Sequence, residues 1–563
     1  MDTHLPQPTV EHPLDRRKLL QTAALGLASA ASLWLPRSAW SQPKVQSNPF
    51  MLGVASGSPT HDSVVLWTRL LDSGGLTALL SPKMGSASVT VRWEIAQDEQ
   101  FSRIVQSGQS QAVAALAHSV HVEVPNLQPD RWYFYRFMVG DAISPVGKTR
   151  TFPAPGTPAA RLRMAYASCQ RWESGYFSAY RHMQAENLDA VLFLGDYIYE
   201  YPGAPNGIRL PNMTPSLGFV LTLADYRARY ATYKTDTDLQ AMHAACPWLV
   251  TWDDHEVQND YAGLSAGDGG IADVFSKPKN FAKRRAAAYQ AFYEHMPIRA
   301  ASLMKSFKGM VDHASNAEMR IYNRVDFGNL ATFYMLDARQ YKDAMVCTKD
   351  DKAGSSWVNP DKCAVWNDPA RTLLGAQQEQ WLYNEFGKAT QSAKSNQTWN
   401  VVAQQSLFGQ RDGKPGPDQS LWNDGWDGYS AARSRMTDAL QKNVVRNAVF
   451  LGGDVHENWV GHIKADYSQT AVAQNAPNVG VEFCGTSLTS RAHGVAKVAE
   501  RLAENPHFVF ADAKMRGYGV VEFTPKQLTT TLRVSDDVTR KDSGIATLAQ
   551  FAVTAGRAVV EKV

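Results

Sequence analysis

Several apolar stretches of the sequence each end in side chains that can bind a metal ion or transfer a proton. In chain order these side chains are Cys169, Asp196, Tyr199, Asp254, His255, Asn259, Asp454 and His456. Ligands of α/β proteins bind beyond the carboxyl ends of the strands, so we expect these groups to meet at one edge of a sheet. Gly195 and Gly453, which precede the first and the last aspartate, allow the sharp turns that this requires.

The mixture of donor types indicates a centre with more than one metal ion. Carboxylate and amide oxygens suit hard cations such as calcium, and haem proteins provide precedents for thiolate and phenolate on iron. Two-metal sites clamp phosphoryl oxygens and generate hydroxide at neutral pH. Asp454 and His456 are two residues apart, so both side chains of an extended segment point to one face. The joint pattern predicts a polynuclear metal hydrolase.

Each residue has a simpler interpretation when it is considered alone. Asp196 could cap a helix, Cys169 could be an inert buried thiol, and Tyr199 could be a core aromatic. His255 could form a surface salt bridge with its acidic neighbours. An exported binding protein with structural metals is an alternative of a different class, but structural calcium does not require Cys, Tyr and His together.

These residues are positioned by an alternation of apolar strands and helical segments after residue 160. This alternation of strands and helices predicts an α/β catalytic domain over residues 160–555. The predicted strands are 162–169, 190–196, 248–254, 398–406 and 448–454. The predicted helices are 176–186, 279–296 and 429–443, and hairpins are predicted over 323–337 and 517–535.

Residues 48–155 have a different pattern, with short alternating strands and no convincing helix. The predicted strands are 63–70, 88–96, 118–124 and 131–139. Their spacing predicts a small β-sandwich that resembles fibronectin type III domains. The proline and glycine residues of the segment TFPAPGTPAA (151–160) indicate a linker to the larger domain.

The first 41 residues have the pattern of an export signal rather than of a folded domain. Basic residues 16–18 precede an apolar stretch, residues 19–35, and a small-residue cleavage site. The adjacent arginines resemble the twin-arginine signal, which implies the twin-arginine export machinery as a partner and a periplasmic or secreted bacterial protein. A membrane anchor is the alternative, although the stretch contains Gln21 and Thr22. No second span is predicted, so we expect no transmembrane segment in the mature protein.

Composition excludes several classes of protein. The 563 residues include 44% hydrophobic and 20% charged residues, which excludes a disordered or fibrous chain. The 57 Lys and Arg residues against 54 Asp and Glu residues give a net charge of +3 without a basic domain. We therefore expect no specific nucleic acid binding.

The five cysteines are an odd number, so at least one thiol has no partner within the chain. Cys347 and Cys363 flank a polar loop and are predicted to form a disulfide, as is reasonable in an exported protein. Cys246 and Cys484 lie in apolar contexts and are predicted to be buried thiols. Cys169 is the candidate for a metal-binding thiolate.

Taken together, these residues resemble the PhoD-type alkaline phosphatase/phosphodiesterase family of the metallophosphoesterase superfamily. The matching segments, in family order, are ASCQ (167–170), GDYIYE (195–200), WDDHEVQNDY (252–261), LDARQY (336–341), LGGDVHENW (451–459) and EFCGTSLTS (482–490). The resemblance implies a four-layer α/β/β/α metallophosphoesterase-like catalytic domain behind the sandwich. It also implies a secreted enzyme that hydrolyses phosphate esters with metal-activated hydroxide, and Fe³⁺ and Ca²⁺ as cofactors.

The resemblance also implies roles for individual residues. Cys169 and Tyr199 would bind iron, and Asp196 would bridge iron and calcium. The other ligands, which are not assigned to either metal, would be Asp254, Asn259, Asp454 and His456. His255 would stabilise or protonate the leaving oxygen.

Two features of the reaction stay open at the level of the sequence. A cation that binds the substrate phosphate is expected, and Arg339 and Arg491 are both candidates. The substrate is a phosphate monoester or diester, without a choice between them. A purple-acid-phosphatase-like enzyme is the main rival, but its Gly-Asn-His-Glu segment is replaced here by WDDHE (252–256).

Overall fold

A computed structural model describes residues 48–71, 86–203, 206–210, 218–267, 278–302, 318–349, 353–391, 398–467, 475–492 and 495–563. The predicted signal segment, residues 1–41, lies outside the described residues. Within them, two large sheets pack face to face, and helices cover the outer face of each.

The front segment, residues 48–150, is built from strands. They are β1 (Val54–Gly57), β2 (Val64–Arg69), β3 (Val89–Ala96), β4 (Ile104–Ala112), β5 (Ser119–Val124), β6 (Trp132–Val139), β7 (Ala142–Ile143) and β8 (Gly147–Arg150). Strands β3, β4, β6, β7 and β8 form their own sheet. Its apolar side chains, including Trp93 and Tyr135, pack against Val64 and Val122 of β2 and β5. This packing is the predicted sandwich.

The remaining strands follow the front segment. They are β9 (Leu162–Ala167), β10 (Ala190–Leu194), β11 (Trp248–Thr251), β12 (Asn323–Phe327), β13 (Ala331–Met335), β14 (Trp357–Val358), β15 (Trp399–Ala403), β16 (Leu421–Trp422), β17 (Ala448–Gly452), β18 (Asn458–Lys464), β19 (Asn478–Cys484), β20 (Phe508–Asp512), β21 (Arg516–Phe523), β22 (Gln527–Ser535), β23 (Ile545–Thr554) and β24 (Glu561–Lys562). The five strands predicted in this region form as β9, β10, β11, β15 and β17. The predicted hairpins form as β12–β13 and β21–β22.

The helices lie between these strands. They are α1 (Ala179–Gln184), α2 (Leu223–Lys234), α3 (Thr237–Ala245), α4 (Pro278–His295), α5 (Ala376–Gln391), α6 (Ser430–Lys442) and α7 (Val498–Glu504). A capping box between Thr222 and Asp225 begins α2, and the Asp236 side chain accepts two backbone hydrogen bonds at the start of α3. In the described ranges, no helix has the length and hydropathy needed to cross a membrane.

The two large sheets form the central layers of the catalytic region. The first has the order β24-β23-β22-β21-β9-β10-β11-β1-β2-β5, and the second has the order β12-β13-β15-β17-β19-β18-β20. Their inner faces share one apolar core, in which Met164 and Leu192 meet Phe333 and Val449. Side chains of α1 to α4 pack on the first sheet, and side chains of α5 and α6 pack on the second. This arrangement confirms the predicted α/β/β/α order of layers.

The front segment shares hydrogen bonds with the catalytic region. Strand β1 pairs in parallel with β11, with Gly57 opposite Trp248, so β1, β2 and β5 extend the first sheet. A side chain at Gly57 would not fit, because its Cβ would lie 2.6 Å from the Pro297 carbonyl oxygen. One layer of the sandwich is therefore continuous with the sheet that carries much of the candidate site.

Candidate metal centre

The predicted ligands lie in the short loops that follow β9, β10, β11 and β17. Cys169, Asp196, Asp454 and His456 all have positive φ angles, of 59°, 58°, 65° and 57°. Side chains other than glycine rarely adopt this left-handed conformation, and such strain is concentrated at functional sites. Each turn takes the chain sharply away from its strand and leaves the ligand side chain at the sheet edge.

The glycines before two of these turns are required by close packing. Gly195 has a φ of 103°, and a Cβ at this position would lie 2.5 Å from the Asp253 Cβ. A Cβ at Gly453 would lie 2.2 Å from the Ser168 hydroxyl oxygen. Both loops can therefore approach their neighbours only because a side chain is missing.

One group of ligand atoms combines four kinds of donor. Donor atoms of Cys169, Asp196 and His456 all lie within 4.8 Å of one another. The Tyr199 hydroxyl donates to Asp196 Oδ2 at 2.9 Å and lies 3.2 Å from His456 Nε2. His456 Nδ1 lies 2.9 Å from the Arg491 carbonyl oxygen, which can only accept, so Nδ1 carries the proton. In the tautomer that carries a single proton on Nδ1, the Nε2 atom has a lone pair that can bind a metal ion.

The electrostatics of this group favour a bound cation. Asp196 is buried, and its Oδ1 has no hydrogen-bond partner in the described part of the chain. Burial raises the pKa of Cys169, Asp196 and Tyr199 well above their usual values. Buried groups of this kind are costly to ionise unless a positive charge lies beside them. The donor set and its burial therefore fit a metal ion.

A second group of ligand atoms shares Asp196 with the first. Donor atoms of Asp196, Asp254 and His255 also lie within 4.8 Å of one another. Asp254 accepts a backbone hydrogen bond from Asp260 at 2.7 Å, and Arg339 Nη2 lies 3.6 Å from its Oδ2. Burial opposes ionisation of Asp254, but Arg339 and His255 together lower its pKa below the usual range. The shared carboxylate places the two groups side by side, as a bridging ligand requires.

His255 is held by a buried carboxylate. Its Nδ1 lies 2.7 Å from Glu200 Oε2, and Glu200 Oε1 accepts the backbone N–H of Asn259 at 2.8 Å. The Tyr199 ring packs on the imidazole with 4.0 Å between ring centroids. Burial disfavours the imidazolium, but the carboxylates of Asp196 and Glu200 raise the pKa of His255 well above its usual value. The ring is therefore fixed with Nδ1 as a donor.

Comparison with known proteins decides the family. The PhoD-like phosphatase profile matches residues 164–532, and the profile of the N-terminal domain of these phosphatases matches residues 36–153. Alkaline phosphatase D of Bacillus subtilis (strain 168) is 42% identical over 551 residues, which cover 95% of this chain and 87% of the relative. The chain belongs to the PhoD-like phosphatase family. This confirms the resemblance and identifies a phosphoric ester hydrolase.

A solved structure of PhoD confirms the fold of this PhoD-like phosphatase. The two chains are 41% identical and superpose with a TM-score of 0.82, over 92% of this chain and 93% of the other. The α/β/β/α region and the front β-sandwich are therefore shared with a structure of the family.

The two arginine candidates of this PhoD-like phosphatase lie in different environments. Only 3% of the Arg339 side chain is exposed, and its guanidinium binds Asp253 and Asp424. Arg491 is exposed and contacts His456 through its backbone carbonyl. The charge of Arg339 is thus already balanced by carboxylates, whereas the Arg491 side chain faces solvent.

Asp454 and Asn259 lie in the loops that follow β17 and β11, the same loops that contribute His456, Asp254 and His255 to the two ligand groups. Asp454 is half-buried, and its partial removal from water, followed by the charge of Asp253, raises its pKa well above the usual value. Asn259 is placed by its backbone hydrogen bond to Glu200. The pKa of the Cys169 thiol is raised by burial first and then by the negative charges of Asp196 and Asp454.

Several residues of the site were not found by sequence reasoning. Glu200 ends the GDYIYE motif, but its pairing with His255 was not predicted from the sequence. Ser490 Oγ lies 2.7 Å from the Tyr199 hydroxyl, and Asp424 accepts hydrogen bonds from both Arg339 and Lys342. Ser490 ends the motif EFCGTSLTS (482–490), which indicates the family but not this contact, and Asp424 lies in no predicted strand or motif.

The cysteines are arranged as predicted. Cys347 and Cys363 form a disulfide with a Cα–Cα distance of 6.0 Å. Cys169, Cys246 and Cys484 are free and buried. The Cys169 thiol is therefore available to a metal ion, with Ser168 Oγ at 3.2 Å from its sulfur.

Proposed function

We propose that the protein is an exported, metal-dependent alkaline phosphatase/phosphodiesterase that hydrolyses phosphate mono- or diesters at a centre of Fe³⁺ and Ca²⁺. The observation that carries this proposal is the convergence of Cys169, Asp196 and His456 donors within 4.8 Å, with the Tyr199 hydroxyl beside them. Thiolate, phenolate and carboxylate together suit ferric iron, whereas carboxylate and amide oxygens suit calcium.

The ligands divide between the two metals by donor type. Iron would be held by Cys169, Tyr199 and His456, and Asp196 would serve both metals. Calcium would be held by Asp254, Asn259 and Asp454. When bound, the metals supply the positive charge that activates water and neutralises the phosphoryl oxygens.

The protein's own groups bind the ester and move protons. His255 acts as the general acid, because Glu200 fixes the ring through Nδ1 and leaves Nε2 for the leaving oxygen. Arg491 binds the substrate phosphate, since its side chain is exposed and carries no balancing carboxylate among the described contacts. Arg339 is a positioning residue: it pairs with Asp253, whose pKa burial raises to about 6, and its charge lowers the pKa of Asp254.

Activity and metal content measured on one sample test the proposal. Hydrolysis of 4-nitrophenyl phosphate and of bis(4-nitrophenyl) phosphate is compared before chelation, after chelation and after return of each metal. We expect iron and calcium in the purified enzyme, loss of activity on chelation, and recovery with both metals. Full activity in a metal-free sample would contradict the proposal, and the two substrates decide between monoester and diester preference.

The proposed organisation has an export signal over 1–41, a sandwich over 48–155 and a catalytic domain over 160–555. The Arg16-Arg17 pair supports recognition by the twin-arginine machinery and a periplasmic or secreted location. Replacing both arginines with lysine should retain the enzyme in the cytoplasm, as cell fractionation would show. Unchanged export of that variant would exclude the twin-arginine route.

A further inference from the structure

The Cys347–Cys363 disulfide closes a loop that contacts the ligand segment after β11. Cys347 is exposed, and Cys363 is buried. Between the two cysteines, the backbone N–H and the hydroxyl of Ser355 donate to Asp260 Oδ2 at 2.9 Å and 2.6 Å. Asp260 directly follows the proposed ligand Asn259 in the chain. The disulfide loop is therefore hydrogen-bonded to the segment that carries proposed metal ligands.

Asp260 in turn orients the carboxylate of Asp254. The backbone N–H of Asp260 donates to Asp254 Oδ2 at 2.7 Å, and the backbone N–H of His255 donates to Asp254 Oδ1 at 3.0 Å. Each carboxylate oxygen thus accepts one backbone hydrogen bond and keeps a lone pair that can bind a metal ion. The two N–H groups therefore set the orientation in which Asp254 meets that ion.

The turn at Asp260 needs support from its surroundings. Asp260 is 8% exposed, and its φ angle is 57°. This left-handed conformation is uncommon for a residue with a side chain, and it persists where neighbouring contacts hold it. The hydrogen bonds from Ser355 are contacts of this kind, because they fix the side chain of the same residue whose N–H orients Asp254.

The disulfide loop also supports Asp254 from a second direction. Strand β14 lies in the loop and pairs with β16. Asp424, two residues after β16, accepts a hydrogen bond from Arg339 Nη1 at 2.8 Å. Arg339 Nη2 lies 3.6 Å from Asp254 Oδ2. Two routes of contact therefore lead from the loop to the same carboxylate.

We propose that Ser355 and Asp260 are positioning residues for the proposed calcium ligand Asp254, and that the disulfide raises the calcium affinity of the centre by holding Ser355 in place. This inference rests on the proposed phosphatase function. Reduction by a dithiol breaks the S–S bond. The two sulfur atoms gain two electrons and two protons, and the dithiol becomes a disulfide. Because disulfides persist in oxidising compartments and are rare in the cytosol, an exported enzyme would reach its full calcium affinity only after export.

The test measures calcium binding separately from activity. Enzyme that is loaded with iron and freed of calcium is titrated with calcium, and metal analysis gives the iron content of each sample. For Cys347→Ser/Cys363→Ser we expect a calcium Kd about tenfold above that of the wild type, at the lower end of the range for changes to groups that support a metal ligand. The iron content should stay the same. Equal calcium affinity of the two proteins would overturn the inference.

Reduction of the disulfide gives the same comparison without a substitution. A dithiol should raise the calcium Kd of the wild type about tenfold more than it raises that of the double variant. The double variant controls for reduction of the iron and for binding of metal by the dithiol, because either would affect both proteins. An equal response of the two proteins to the dithiol would overturn the role of the disulfide.

Two serine variants assign the effect to Ser355. Ser355→Ala removes one of the two donors to Asp260, so we expect a calcium Kd about threefold higher, as for loss of one hydrogen bond, and faster hydrogen exchange of the Asp260 amide. Ser356→Ala is the matched control, because the Ser356 hydroxyl accepts the backbone N–H of Lys349 at 3.1 Å. It should leave the calcium Kd unchanged, and equal Kd values in the two variants would contradict the positioning role.

The outcomes separate this inference from the proposed function. Calcium-dependent hydrolysis of 4-nitrophenyl phosphate, with the same calcium Kd in the oxidised wild type and in the double cysteine variant, would overturn this inference alone. If the wild-type enzyme bound neither iron nor calcium, the proposed function would fail and this inference with it.

Discussion

The Nδ1 atom of His255 lies 2.7 Å from Oε2 of Glu200, and both side chains are buried. The carboxylate can only accept a hydrogen bond, so it keeps the proton on Nδ1 and determines which nitrogen faces the cleft. The same carboxylate anchors the backbone of Asn259. One side chain therefore orients both the proposed general acid and the loop of a proposed ligand.

Glu200→Gln should lower kcat while the metal content stays close to that of the wild type. The amide can donate to Nδ1 and so stabilise the wrong tautomer of His255, and we expect a loss of about 100-fold, within the range for general acid catalysis. The measurement is steady-state hydrolysis of esters with good and poor leaving groups. The loss should be larger for the poor leaving group, and an equal loss for both would contradict a role in protonation.

Tyr199→Phe should remove the phenol ligand with little change in the fold. The hydroxyl contacts Asp196 and His456, so its loss should lower iron content and turnover by about tenfold or more. Tyr197→Phe is the matched control, because the Tyr197 hydroxyl lies 2.8 Å from His243 and away from the ligand groups. Equal iron content in the two variants would exclude Tyr199 as a ligand.

Asp196→Asn should abolish metal retention and lower turnover by more than about 100-fold. Changes to residues that only hydrogen-bond to a metal ligand typically cost about 10- to 100-fold, and Asp196 is expected to bind the metals directly. The change removes the carboxylate shared by both ligand groups. Asp189→Asn is a suitable control, since Asp189 precedes β10 at the opposite end and pairs with Arg150. Metal analysis of both variants checks the prediction, and wild-type metal content in Asp196→Asn would refute it.

The ligand loops were predictable because strand and ligand are adjacent in the sequence. Each apolar stretch identifies a buried strand, and the residues after it must lie at the sheet edge, as Cys169 and Asp196 do. The two-residue spacing of Asp454 and His456 provides another local signal. Ligand convergence at the sheet edge therefore follows from patterns that are read within about ten residues, whereas the α/β/β/α order of layers was implied by the family resemblance.

Other features depend on contacts between distant parts of the chain. The pairing of Gly57 with Trp248 joins the front segment to the first sheet, and no local pattern specifies that partner. Arg339 stood equal to Arg491 as a phosphate-binding candidate, because the three carboxylates around its guanidinium come from two loops that are distant from Arg339 in the sequence. The partnership of Glu200 with His255 likewise spans 55 residues.

Removal of the Cys347–Cys363 disulfide should destabilise the loop that it closes. Its sequence separation is 16 residues, for which chain entropy suggests about 3 kcal/mol of stabilisation. Within this loop, Ser355 donates to Asp260 Oδ2 at 2.6 Å, and the loss should therefore increase hydrogen exchange around both residues. Cys347→Ser/Cys363→Ser should unfold at lower denaturant concentration than the wild type. Reductant should lower the denaturant concentration at which half of the wild-type protein is unfolded, and it should not change this concentration for the variant. Any other result would contradict the prediction.

Glu482 should make the stability of the enzyme depend on pH. The side chain is buried on β19 and accepts backbone hydrogen bonds from Phe408 at 2.6 Å and Gly409 at 2.8 Å. Burial raises its pKa from 4.5 to about 7, although the two hydrogen bonds act in the opposite direction. The folded state therefore holds this proton more tightly than the unfolded state does.

The sign of the effect follows from linkage. The contribution of Glu482 to stability is full below pH 4.5 and is lost as the pH rises to about 7, by about 3 kcal/mol in total. Glu482→Gln cannot titrate, so the free energy of unfolding of the wild type minus that of the variant isolates this group from other carboxylates. Denaturant unfolding of both proteins between pH 5 and pH 8 should show this difference falling with pH and levelling above pH 7. A constant or rising difference would mean that the carboxylate is ionised in the fold at pH 5, held by the N–H groups of Phe408 and Gly409.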